Sequence, residues 1–186
     1  MESWKANIRL AEEELKARSE MDKVVILGLR FGGTLAFLEG ALHSDCPLLI
    51  LWDPILSGKE YLDFLRAQDQ RRRSLVLGSP PRVENDLEEE LRGFVLPRSL
   101  VDEMTSISLH DSNLSVIPPV VLASSDNNPE HDRFAAMNRG KSVAVRREIF
   151  EEEFAWQSLS RLSDLITPGA SLDKLVQLVE EETAHE

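Results

Sequence analysis

The residues of this 186-residue chain that could do chemistry cluster where apolar runs give way to helical stretches. Gly28-Leu29-Arg30-Phe31-Gly32 is one such junction. A turn there would aim its central side chain out of a sheet, beside the free N–H groups and positive dipole end of the next helix. Arg30 cannot serve as a nucleophile, because its guanidinium stays protonated. Two readings are open for it. With the Phe31 and Gly32 amides it could bind an external carboxylate, phosphate or sulfate, or it could form an internal ion pair with Asp53 or Asp126.

A second group lies at Ser124-Ser125-Asp126, with His131 five residues beyond Asp126. Hydroxyl, imidazole and carboxylate are the parts of nucleophilic acyl transfer, in which a base activates the hydroxyl and an acid orients the base. Asp53, after the run LLILW, is a second candidate for the acid. The same residues also fit a plain polar loop, with the aspartates as helix caps and His131 on the surface of DNNPEHDR. The single cysteine, Cys46, excludes an intrachain disulfide and a cysteine-based zinc cluster, and it fits a small buried residue. No metal and no cofactor is expected.

The elements that would position these groups alternate. Ser3 to Glu20 places Trp4, Ile8, Ala11 and Leu15 at helical spacing. VVILGL then reads as a strand buried on both faces, and Phe31 to His43 as a helix. CPLLILWDP is a second strand stopped by Pro54, followed by a helix with Ser57 as N-cap. Residues 71–114 read as a cap-like excursion of loop and acidic surface, with a short helix after Pro97. PPVVLASSD and KSVAVRREI are third and fourth strands, and the helical segments AWQSLSRLSDLI and SLDKLVQLVEE close the chain. This order predicts a single α/β domain over 1–186, a mostly parallel sheet of about four strands covered by helices.

Composition narrows the function. Hydrophobic residues make up 42% and charged residues 29%, as in a globular protein. The formal net charge of -12 repels a phosphate backbone, so no nucleic acid is expected as a partner. The basic cluster Arg71, Arg72 and Arg73 runs into the acidic ENDLEEEL and reads as solvated surface. No apolar run approaches the roughly 20 residues of a membrane span, and the acidic, amphipathic start does not suit a signal peptide. A cytoplasmic location is the expectation.

The strand, glycine turn and helix at ILGLRFGGTLA match the setting of a nucleophile elbow. With LWDPILSGKEYLDFL, this segment resembles the hydrolase-like proteins associated with exosortase and exopolysaccharide gene systems, a branch of the serine aminopeptidase-like α/β-hydrolases. GFVLPRSL is similar to that branch's apolar mid-chain segment, and the resemblance runs from about Trp4 to Leu178. It implies the C-terminal part of an α/β-hydrolase fold, without the early strands. It also implies a serine where Arg30 stands, an acid at Asp126 or Asp53, and a histidine in EEEFAWQSLSRL, which has none. No H-G-G segment for a second oxyanion donor precedes the elbow.

Losing one such donor typically costs about a hundredfold or more in rate, and here nucleophile and base are displaced as well. The expectation is a catalytically degenerate binding or accessory protein, exopolysaccharide-related by analogy with that branch. Two alternatives stand beside it: a weak serine esterase using Ser124 or Ser125 with Asp126 and His131, and a truncated hydrolase fragment. The strand at Val24 would form an exposed edge, to be covered by a partner chain, a homodimer contact or the N-terminal helix.

Overall fold

A computed structural model of the chain describes residues 1–40, 42, 46–76, 85–111, 117–125, 127–139, 145–150 and 169–183. The chain divides into two compact units, one of Met1–Ser3 and Ile55–Ser112, the other of Trp4–Pro54 and Asn113–Glu186. The excursion expected over 71–114 falls largely inside the first of these, which also takes in the helix after Ser57.

The second unit is built on a parallel sheet of β1 (Ile26–Leu29), β2 (Leu49–Trp52), β5 (Val120–Ser124) and β6 (Val145–Ile149), in the order β1-β2-β5-β6. β2 and β5 lie in the middle and are buried along their whole length, which is why LILW and VVLAS are unbroken apolar or small-residue runs. Their registers, Leu49↔Val120 through Trp52↔Ala123, send alternate side chains to opposite faces.

On one face, Phe37 of α2 (Phe31–Gly40) meets Phe134 of α5 (Pro129–Asn138) edge to face, with ring centroids 5.2 Å apart. On the other, Leu175 and Leu178 of α6 (Gly169–Thr183) pack with Leu48, Ile50, Trp52, Val121, Ala123 and Phe150. Each such fully buried side chain contributes about 1.5–3 kcal/mol. The unit thus has helices on both sides of a parallel sheet, as the alternation of elements predicts.

β1 lies at the edge of the described sheet, as expected for the strand at Val24, but it is not buried on both faces as VVILGL suggests, since Leu27 and Leu29 stay 47% and 37% exposed. Periodicity reports the apolar run but not which neighbour is present on each side. α1 (Glu2–Ser19) forms where its helical spacing predicts. Its apolar stripe is incompletely covered, with Trp4 at 40% and Leu15 at 51% exposure.

The first unit holds α3 (Gly58–Leu75), the hairpin β3 (Glu88–Leu91) and β4 (Phe94–Pro97), and α4 (Arg98–Thr105). Ser57 caps α3 as expected, accepting from the Glu60 amide at 3.3 Å. Arg71, Arg72 and Arg73 lie on α3 with Arg71 and Arg72 exposed, in keeping with a surface helix, and Arg72 and Arg73 bond Asp69 at 3.3 and 2.6 Å while Arg73 also bonds Glu90 at 2.6 Å. One reading is corrected here: ENDLEEEL is not wholly acidic surface, since Glu89 is buried and held by a two-pronged bond from Arg66 at 2.8 and 2.8 Å. The hairpin turns through Arg92 and Gly93, both at positive φ (54° and 89°), which suits the tight turns joining adjacent strands.

Candidate functional site

The elbow keeps its backbone. Leu29 ends β1, Arg30 follows at φ 53°, and α2 begins at Phe31. A residue with a Cβ holds this left-handed conformation only under local strain. Three bonds lock it: the Arg30 amide donates to Trp52 O at 2.9 Å, and Arg30 O accepts from Gly33 and Thr34 at 3.0 and 3.3 Å. Gly28 is required by close approach, because a Cβ there would lie 2.5 Å from Gly32 O and 2.5 Å from Gly33 Cα. Beside Gly32 there is open space.

The Arg30 side chain is half-buried and makes a single described hydrogen bond, from Nη1 to the backbone carbonyl of Asp53 at 3.4 Å. The internal ion pair with Asp53 is therefore not formed, because the Asp53 carboxylate is turned elsewhere. Oδ1 accepts from the Ser125 amide at 2.8 Å, and Oδ2 accepts from the Ser125 hydroxyl. The indole N–H of Trp52 also reaches Ser125 Oγ, at 3.4 Å. Among the described residues no carboxylate is paired with Arg30. Asp126 lies outside the described residues.

Asp53 is itself left-handed, at φ 44°, and its amide donates to Ala123 O at 2.9 Å. Two adjacent parallel strands thus end in non-glycine residues with positive φ, and conformations of this kind persist where surrounding contacts over-determine them.

The serines after β5 sit in different settings. Ser124 is fully buried, with Oγ 2.9 Å from Nδ1 of His131, also buried. The surface reading of His131 is thereby corrected. PEHDR does not remain part of a polar loop, because Asn128 accepts from the Glu130 amide at 3.0 Å, Pro129 opens α5, and His131 turns inward in the first turn. Capping asparagine followed by proline is the signal that marks this helix start in the sequence.

The structure therefore brings Ser124 to His131, and Ser125 to Asp53. Of the other histidines, His43 and His185 lie outside the described residues. The segment AWQSLSRLSDLI, expected to be helical, also lies outside them. Cys46 is buried, its thiol donating to Leu48 O at 3.4 Å, and no group of metal-binding side chains occurs among the described residues. No described helix is long and apolar enough to cross a membrane.

No protein-family model matches the sequence. No curated protein sequence matches it. Solved structures do match. Est1E from Butyrivibrio proteoclasticus is similar over 97% of this chain and 70% of its own, with a TM-score of 0.59 and 15% identity. Est1E with ferulic acid bound covers 97% and 68%, at TM-score 0.58 and 14% identity. An esterase from Pyrococcus furiosus covers 78% of this chain and 51% of its own, at TM-score 0.48 and 14% identity. At these identities the likeness concerns fold, and the fold is that of the α/β-hydrolases.

Proposed function

We propose that this chain is a non-catalytic binding protein on an α/β-hydrolase fold, with Arg30 recognising a carboxylate at the vacated elbow. The observation that carries this reading is the single bond of the Arg30 guanidinium, made to a backbone carbonyl and not to an acid. A guanidinium has five N–H donors, so most remain to meet a ligand at the start of α2. A carboxylate fits the planar fork two-pronged. The net charge of -12 penalises multiply charged ligands at longer range, which favours a monocarboxylate over a phosphate. Carboxylic acids are also what ester hydrolysis releases, and ferulic acid, the ligand in one Est1E structure, is such an acid.

Two further parts of the proposal rest on less. An accessory role beside exopolysaccharide assembly draws its support from the resemblance of LGLRFGGTLA and LWDPILSGKEYLDFL alone. A partner chain at the β1 edge draws on the exposure of Leu27 and Leu29.

A second reading, hydrolysis by Ser124 with His131 as base, has the 2.9 Å contact in its favour. Burial of both groups opposes it, since an acyl carbon must reach the hydroxyl. Thermal-shift titrations with ferulate, acetate and inorganic phosphate, run beside a p-nitrophenyl ester assay, separate the two. Stabilisation by the carboxylates with no turnover is expected. Turnover above background that disappears in His131→Ala would replace the first reading with the second.

A further inference from the structure

At the end of β2 a side chain stands in for a backbone group. Leu49 and the residue after β2, Asp53, both face β5: the Leu49 amide donates to Pro119 O at 2.8 Å and the Asp53 amide to Ala123 O at 2.9 Å. In a regular parallel ladder a residue turns its N–H and its C=O to the same neighbouring strand, so the next bond would run from the Ser125 amide to the Asp53 carbonyl. The Ser125 amide donates instead to Asp53 Oδ1, at 2.8 Å, and the Ser125 hydroxyl takes Oδ2. At φ 44° the Asp53 carbonyl has left the ladder, and it accepts from Nη1 of Arg30, the residue that follows β1, at 3.4 Å.

Several contacts hold this exchange in place. Aspartate is among the residues that tolerate a left-handed backbone. Asp53 is 3% exposed, and the hydroxyl that binds it also accepts the Trp52 indole N–H at 3.4 Å. The Arg30 amide meets Trp52 O at 2.9 Å, so two successive carbonyls, of Trp52 and Asp53, hold the arginine by its backbone and by its side chain. The bond to Nη1 leaves the edge formed by Nε and Nη2 without an acceptor among the described residues. That edge carries two parallel N–H groups suited to a carboxylate, and Arg66 uses the same edge on Glu89, at 2.8 and 2.8 Å.

From this geometry we infer that Asp53 and Ser125 are positioning residues for Arg30. Ser125 draws the Asp53 carboxylate into the ladder, the displaced carbonyl clamps Nη1, and the guanidinium presents Nε and Nη2 side-on to the carboxylate of the ligand. A side chain already held costs less to order when the ligand arrives. The inference rests on the carboxylate reading of Arg30 given above.

Heteronuclear relaxation of the Arg30 Nε–H group in the ligand-free protein reads the clamp directly. Its order parameter should be high in wild type, fall below about 0.6 in Ser125→Ala, and recover in Ser125→Thr, which keeps the hydroxyl. Asp53→Gly retains the left-handed turn without the pinned carboxylate and should loosen Arg30 in the same way, with circular dichroism confirming that each variant folds. Calorimetry with ferulate should show affinity weakened roughly fivefold in Ser125→Ala. Adding Ser125→Ala to Arg30→Ser should weaken it no further, since the two act through one group. An Arg30 order parameter unchanged in both Ser125→Ala and Asp53→Gly would overturn the inference. So would an equal loss of affinity from Ser125→Ala in wild type and in Arg30→Ser, because Ser125 would then act without Arg30. Loosening of Arg30 in a protein that does not bind ferulate would remove the carboxylate reading and leave the clamp standing. Ferulate binding with an unmoved Arg30 would do the reverse.

Discussion

The ends of β1 and β5 divide the attributes of a catalytic site between them. At the end of β5 are the residue types of acyl transfer, but each is committed: Ser124 to His131, and Ser125 to both oxygens of Asp53 and to Trp52. At the end of β1 is the open position, an elbow with space beside Gly32, yet it holds an arginine with one backbone contact. The Ser124–His131 pair is buried, while the elbow has open space but no nucleophile; under the proposed reading the first serves the fold and the second serves binding.

If this contrast is right, the β5 end should matter most to stability. His131→Ala removes a buried ring and leaves the Ser124 hydroxyl without its partner, so urea unfolding should show a loss of about 2–4 kcal/mol. A loss below about 0.5 kcal/mol would mean that the pair is not structural. Asp53→Asn keeps an acceptor for the Ser125 amide but gives up a charge-assisted bond to its hydroxyl, and should cost about 1–3 kcal/mol in the same measurement.

At the β1 end the sign should reverse. Arg30→Gly relieves the left-handed strain at φ 53° and gives up one long hydrogen bond, so the melting temperature should hold or rise, by the equivalent of at most about 1 kcal/mol. A clear fall would show the guanidinium to be structural and erase the contrast.

The smallest effect belongs to the other unit. Burial pushes the Asp69 carboxyl up, but bonds from Arg73 and Arg72, with the Arg92 amide, hold it below its ordinary value of 3.8. A carboxyl lowered on folding adds stability above that value, and the contribution is lost as pH falls through the folded pKa. Thermal melts taken from pH 5 downward should therefore fall off less steeply in Asp69→Asn than in wild type, and parallel slopes would remove Asp69 from the acid response.

Much of the fold was legible because β2 and β5 are buried on both faces, and a central strand writes that directly into LILW and VVLAS. The elbow was legible because only glycine fits at position 28. Three failures have physical causes. Glu88–Leu91 does not look like a strand, since its glutamates are stabilised by arginines on α3 that no local pattern reveals. His131 looked exposed because its polar neighbours face solvent while it alone turns inward. The Arg30–Asp53 pair was chemically reasonable, but the Ser125 amide and hydroxyl captured the carboxylate across 72 residues of sequence separation.

Calorimetric titration of ferulate into wild type and Arg30→Ser addresses the elbow most directly. Saturable binding by wild type that weakens at least tenfold, or about 1.4 kcal/mol, in Arg30→Ser is the predicted result. Equal binding by the two proteins would contradict the account, because it would leave the guanidinium at the elbow without a ligand to recognise.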